Sequence, residues 1–214
     1  MAFEHPDYEP WKHGSLRRKG DAAFDYTVPY WGGDKSTLEE QRFNLTEFTG
    51  VNCKSKVATA LEHCRGLRVL EIGCAPGSFL QYAHRRGFQP VGIEPCREHA
   101  EEIRVFSGCP VLCGHFEELT FPNTFHSIVA LDVIEHVPDP EAFVAKCMEL
   151  LEPGGRLVLM TPVFGDGIPW RECDFHREHV TLFSVEHIRR WLNPIVFELW
   201  WPGHMLIVCE KEAA

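Results

Sequence analysis

Residues 68–79 read Arg68-Val69-Leu70-Glu71-Ile72-Gly73-Cys74-Ala75-Pro76-Gly77-Ser78-Phe79. The apolar run from Val69 to Ile72 predicts a buried strand. Gly73, Ala75 and Gly77 follow at alternate positions, where small residues let backbone approach a ligand closely. From Ser78, the spacing of Phe79, Leu80 and Ala83 is helical. A strand, a tight small-residue loop and a helix form the unit that binds cofactors in an open α/β sheet. The spacing Gly73-x-Ala75-x-Gly77 is not the Gly-x-Gly-x-x-Gly of dinucleotide sites, and the chain has no Gly-x-x-x-x-Gly-Lys-Ser/Thr, which excludes a P-loop.

Working outward from this stretch, the periodicity predicts a helix over 46–64, a strand over 67–72 and a helix over 78–86 ended by Gly87. Residues 90–94 read as a second strand, 96–107 as a helix, 110–113 and 127–132 as further strands, and 140–151 as a helix. Pro153-Gly154-Gly155 is a turn before a strand over 156–161. Ser184 is placed to cap a helix to Leu192, and 195–201 with 205–210 form a closing hairpin. This alternation predicts a mostly parallel sheet with an antiparallel C-terminal hairpin. Residues 1–45 are polar with interleaved aromatics (Tyr26, Tyr30 and Trp31 among them) and read as an arm or lid on a core spanning 46–214.

The 214 residues suit one domain, and the net charge of −10 argues against a general nucleic-acid or anionic-membrane binder. Arg17, Arg18 and Lys19 are too short a basic run to alter that. No apolar run is long enough to span a bilayer, and the N-terminus shows no signal-peptide core. Nine cysteines without Cys-x-x-Cys pairs fit reduced thiols, so the expected location is cytoplasmic.

Four segments together resemble the class I S-adenosylmethionine-dependent methyltransferases. Glu71-x-Gly73-x-Ala75-x-Gly77 is similar to their motif I, with Ala75 at the middle glycine. Glu94 ends the second strand about twenty residues later, where an acid accepts ribose hydroxyls. Asp132-Val133-Ile134-Glu135-His136-Val137 resembles motif IV, and 151–162 resembles the motif V region. The resemblance runs from about residue 45 to the C-terminus and is nearest to the ubiquinone-biosynthesis O-methyltransferase group. His126 departs from it, standing where relatives commonly have Asp. The resemblance implies a three-layer, Rossmann-like α/β fold with a seven-stranded sheet and S-adenosyl-L-methionine as cofactor. It implies that Glu71, Gly73, Cys74, Ala75, Gly77, Glu94, Phe116, Glu117, Asp132 and Val133 bind that cofactor, with Phe116 and Glu117 near the base.

For the chemistry, three readings stay open. His136 or His179 can act as a general base, since imidazole titrates near neutral pH. Asp132, Glu135 and His136, with His176 or His179, can instead hold a divalent cation, a set similar to the Glu-x-x-Glu-His pattern of small-RNA 2′-O-methyltransferases. Or Glu135 and His136 serve the turn into the next helix and His179 packs in its loop. Cys173-x-x-His176-x-x-His179 has zinc half-site spacing but no second pair nearby, which favours an ordinary loop. The leading expectation is methyl transfer to a small-molecule acceptor, at oxygen. An RNA terminal 2′-O-methyltransferase and a non-catalytic S-adenosylmethionine-binding protein are the alternatives; the acidic balance opposes the first of these, and the intact loop with Glu94 opposes the second. The oligomeric state is not legible.

Overall fold

The computed structural model describes residues 6–20, 25–27, 42, 46, 47, 50, 53–169, 171, 175 and 178–213. In chain order these comprise β1 (Tyr8–Pro10), β2 (Leu16–Arg18), α1 (Lys56–His63), β3 (Arg68–Ile72), α2 (Ser78–His84), β4 (Gln89–Glu94), α3 (Arg97–Ser107), β5 (Val111–Cys113), β6 (Phe125–Leu131), α4 (Pro140–Leu150), β7 (Leu151–Phe164), β8 (Thr181–Ser184), α5 (Val185–Leu192), β9 (Val196–Trp201) and β10 (His204–Glu210).

Seven strands make the expected core in the order β5-β4-β3-β6-β7-β10-β9. The first five run parallel, and β10 lies antiparallel to both β7 and β9. Each central strand is apolar on both faces, as a parallel sheet covered by helices requires. Leu70, Ile72, Ile128, Ala130, Leu157 and Ile207 point to one cluster, which includes Phe143 of α4 and Ile188 of α5. Val69, Val129, Val158, Leu206 and Val208 point to the other, with Val57 of α1 and Phe79 of α2. Leu80, Ala100 and Ile103 extend that second layer through α3.

Three further strands join this core. The fourteen-residue β7 outruns its partners, and Val163 and Phe164 pair with Phe183 and Ser184 of β8. Strand β8 pairs with β2, and β2 with β1, so part of the expected arm is laid down as a hairpin beside the C-terminal ends of the parallel strands. The β2–β8 pairing, Leu16 against Leu182, joins segments more than 150 residues apart, which sequence periodicity does not report.

The helix expected over 46–64 is corrected to Lys56–His63. Ser55 stops its extension backward because its hydroxyl accepts the Ala58 N–H. Before it, a turn closes with Cys53 N–H to Gly50 O at 2.9 Å. The strand expected over 156–161 runs from Leu151, and its register against β6 slips between Leu151 and Arg156, absorbing the predicted turn. His126 lies at the far edge from the loops after the strands, where its Nδ1 accepts the Arg68 N–H at 3.1 Å. The eight described cysteines are all free thiols. Among the described residues, no helix is long and apolar enough to cross a membrane.

Candidate functional site

A cavity of about 620 Å³ opens at the C-terminal ends of β3, β4, β5 and β6. Open α/β sheets bind ligands there because the strand ends and helix starts leave backbone groups unpaired. Its wall carries the carboxyls of Glu71, Glu94, Glu117, Glu118, Asp132 and Asp139 and, among the described residues, no lysine or arginine. Such a wall favours a cationic or hydroxyl-rich guest.

The glycine loop floors the cavity with Gly73, Ala75 and Pro76. Gly73 sits at φ +66°, and a Cβ there would come within 2.7 Å of Val133 Cγ2. Its lack of a side chain therefore seats the loop after β6 against the loop after β3. Gly77 and Cys74, expected to touch the ligand, do not line the cavity. Gly77 caps α2 at φ +92° and lies close to Ile103 of α3. The Cys74 side chain is buried with Leu80 and Ala100, because an alternating loop turns every second residue into the core.

Glu94 lines one end of the cavity and accepts the Cys96 N–H at 3.0 Å through Oε1. Burial outweighs the backbone hydrogen bonds from Cys96 and Ala75 and pushes its carboxyl up to about 7. Burial likewise pushes Glu71 well above the usual carboxylate range, with a contribution from nearby Glu94. Glu71 Oε2 is buried without a hydrogen-bond partner among the described residues. Phe116 and Glu117 line the wall after β5, joined there by His115 and, from α3, His99. His99 Nδ1 lies 3.9 Å from Glu94 Oε1. The sequence reading singled out neither histidine, although His115 directly precedes Phe116 and Glu117 in the same segment.

At the other end stand Asp132, Val133, His136 and Tyr26. Asp132 adopts φ +55°, a strained conformation for a residue with a Cβ, and such strain concentrates at functional sites. Burial pushes its carboxyl up, but Lys56, helped by His204 and His136, outweighs that and holds it below its ordinary value. Lys56 Nζ bonds Asp132 Oδ2, and His204 Nε2 lies 3.8 Å from Oδ1, which has no hydrogen-bond partner among the described residues. His136 Nδ1 lies 2.8 Å from the Tyr26 hydroxyl and 3.1 Å from Glu178 O. The Nδ1–H tautomer donates to Glu178 O and leaves the lone pair on Nε2, whereas the Nε2–H tautomer accepts from the Tyr26 hydroxyl at Nδ1.

His179 is not on the cavity wall. It packs edge-on behind His136, their ring centroids 4.8 Å apart. Its carbonyl accepts from Tyr8 Oη at 2.8 Å and Arg18 Nε at 3.1 Å, so the β1–β2 hairpin fixes its loop. Arg17 bonds Pro138 O. The basic run thus grips carbonyls of the site's loops.

The expected metal set regroups. Glu135, His136 and His179 bring one ligand atom each within 4.8 Å of one another, and Asp132 is absent from that group because its carboxyl is drawn to Lys56. Glu135 is buried, its Oε2 accepts from Thr161 Oγ1 at 2.9 Å, and burial with repulsion from Asp132 pushes it up to about 7. Tyr30, Trp31, Trp170, Cys173 and His176 lie outside the described residues.

Residues 44–200 match the family described as a methyltransferase domain. A ubiquinone biosynthesis O-methyltransferase of Bradyrhizobium sp. (strain ORS 278) is 34% identical over 157 residues, covering 69% of this chain and 58% of that protein. One from Rhodopseudomonas palustris (strain BisB18) is 29% identical over 142 residues, covering 63% and 52%. The chain thus spans a little over half the length of the curated relatives it matches. Among solved structures, the [4+2]-cyclase SpnF aligns with a TM-score of 0.66 at 14% identity, over 84% of this chain and 93% of that one. The glycopeptide N-methyltransferase MtfA, solved with S-adenosyl-L-methionine, aligns with a TM-score of 0.60 at 13% identity, over 78% and 96%. At these identities the two structures share the fold with this chain, and a fold alone does not fix the reaction.

Proposed function

The chain belongs to the methyltransferase-domain family, whose methyl donor is S-adenosylmethionine, and from that premise we propose that it methylates a hydroxyl oxygen of a small molecule. One observation carries the reading: a single cavity has Glu94 at one end and His136, held by Tyr26 and Glu178 O, at the other. The residues fit the donor. The acidic wall suits a sulfonium cation, and the unpartnered Glu71 oxygen offers an acceptor to a buried donor group. In this reading Glu94 accepts the ribose hydroxyls, Phe116 and Glu117 flank the base, and Gly73, Ala75, Asp132 and Val133 border the remainder.

When bound, the donor supplies an electrophilic methyl group that leaves its sulfur in an in-line displacement. The chain's own work is alignment and proton handling. His136 takes the hydroxyl proton of the acceptor at Nε2, while Glu178 O holds the Nδ1 proton in place. His179 packs behind that ring and orients it. The relatives named ubiquinone biosynthesis O-methyltransferases support an oxygen acceptor, and the lack of lysine and arginine on the cavity wall among the described residues supports a small molecule over RNA.

Calorimetry with S-adenosylhomocysteine tests the donor, with micromolar or tighter binding expected; no heat signal would sink the reading. A methyl-release screen over phenols, sugars, carboxylates and amines tests the acceptor, and separates turnover from binding alone.

The Glu135, His136 and His179 cluster favours a second reading, in which it holds a divalent cation. Mixed carboxylate and imidazole donors suit such ions. Elemental analysis of the purified protein and its activity after chelation distinguish the two. Unchanged activity with no bound metal eliminates the cation.

A further inference from the structure

Lys146 lies on α4, one turn beyond Phe143, so both residues face the segment after β5. Its ammonium donates to Phe116 O at 2.7 Å, Glu117 O at 3.0 Å and Leu119 O at 2.7 Å. An ammonium has three protons, so one stretch of backbone uses all of them. The side chain passes the Phe116 and Phe121 rings, with Nζ 4.9 and 5.9 Å from their centroids. Phe116 is also held edge-on by Phe143 at 5.2 Å. The segment's own backbone closes only with Glu118 N–H to His115 O at 3.1 Å and Leu119 N–H to Phe116 O at 3.3 Å. Lys146 itself does not line the cavity, yet Phe116, Glu117 and Glu118 do.

Resting on the reading above that this wall meets the donor's base, we propose that Lys146 is a positioning residue for donor binding. Its charge gathers three carbonyls of one turn and so sets where the Phe116–Glu118 wall stands. Without it, those carbonyls lose their shared donor, and the turn relaxes toward solvent to hydrate them. A ligand that needs the wall in place must then supply the ordering itself, and its affinity falls. A lysine on a helix surface that merely covers the rings with its stem would have no such effect, since methionine keeps that apolar contact.

The test is calorimetry of wild type, Lys146→Met and Lys146→Gln with S-adenosylhomocysteine and with adenosine, alongside donor KM and kcat. Lys146→Met is expected to weaken both ligands by a similar factor, about 10-fold. The loss should fall on the donor KM rather than on kcat. Lys146→Gln, which restores a neutral donor, is expected to recover part of it. Wild-type affinity in folded Lys146→Met overturns the proposal, as does a loss confined to kcat. Absent binding by the wild type strikes the donor reading instead, which keeps the two failures apart.

Discussion

The Glu94 end of the cavity and the His136 end are built in different ways. At the Glu94 end, the wall comes from three successive strand–loop units, β3, β4 and β5, with the opening of α3. Each unit is local, and its parallel neighbours pair in continuous register. The His136 end draws on the loop after β6, Tyr26 from the N-terminal region and the carbonyl of Glu178. Behind them, β7 outruns the core sheet to pair with β8, which carries the β1–β2 hairpin. The first end is specified by short-range pattern, and the second by contacts 42 and 110 residues apart in the chain. A scaffold that binds a constant donor can remain local. In the proposed reading, the end that meets the acceptor is joined from loops, where substitutions disturb the core least.

Replacing His136 by Ala gives the sharpest separation of the two ends. It should lower kcat by about 10²–10⁴-fold, the usual size of general-base assistance, with S-adenosylhomocysteine affinity nearly intact. Equal losses in both would break the division. Glu94→Ala should do the converse, weakening S-adenosylhomocysteine by roughly 10²-fold, since a charged acceptor lost to two hydroxyls is worth about 3 kcal/mol. Calorimetry on both variants reads the contrast directly.

The pH dependence of donor binding sharpens it further. Glu94 titrates at about 7 in the unliganded protein, and ribose hydroxyls need its ionised form. Affinity should therefore rise about 10-fold between roughly pH 6 and 8, with a proton released on binding, visible as buffer-dependent heat. Glu94→Gln should flatten that profile. The linkage to folding has the opposite sense. Glu94 and Glu135 both rise from an ordinary 4.5 to about 7, so the stability they contribute is fully present below 4.5 and is lost as pH rises through 7. The smallest effect belongs to Tyr8→Phe, which removes the bond to the His179 carbonyl and the one the hydroxyl accepts from Arg18 Nη2, while Arg18 Nε keeps its own bond to that carbonyl. Thermal denaturation should show a loss of about 1 kcal/mol, with donor affinity unmoved.

Much of the Glu94 end was legible. The glycine loop and Glu94 came from strand endings and their spacing, Phe116 and Glu117 from the family resemblance, and of these all but Cys74 and Gly77 line the cavity. Spacing alone cannot tell which small residues face a cavity and which face a neighbouring helix. Of the candidate histidines, one dimension could not rank His136 above His179, nor see that Lys56 takes Asp132 away from Glu135 and His136. Lys146 had no signal at all, because a lysine on a helix reads as a solvated face until its three carbonyl partners are seen.

By itself, the sequence determined the layered α/β core through hydrophobic period and, through family likeness, the nature of the methyl donor. The tertiary structure alone decided the extension of β7 into the β8–β2–β1 sheet, the pairing of His136 with Tyr26 and Glu178 O, and the regrouping of Glu135 with both histidines. The reason is physical. Local pattern records which face of each element is buried, whereas a site joined across distant loops depends on how completed elements pack, and that is fixed only when the whole core closes.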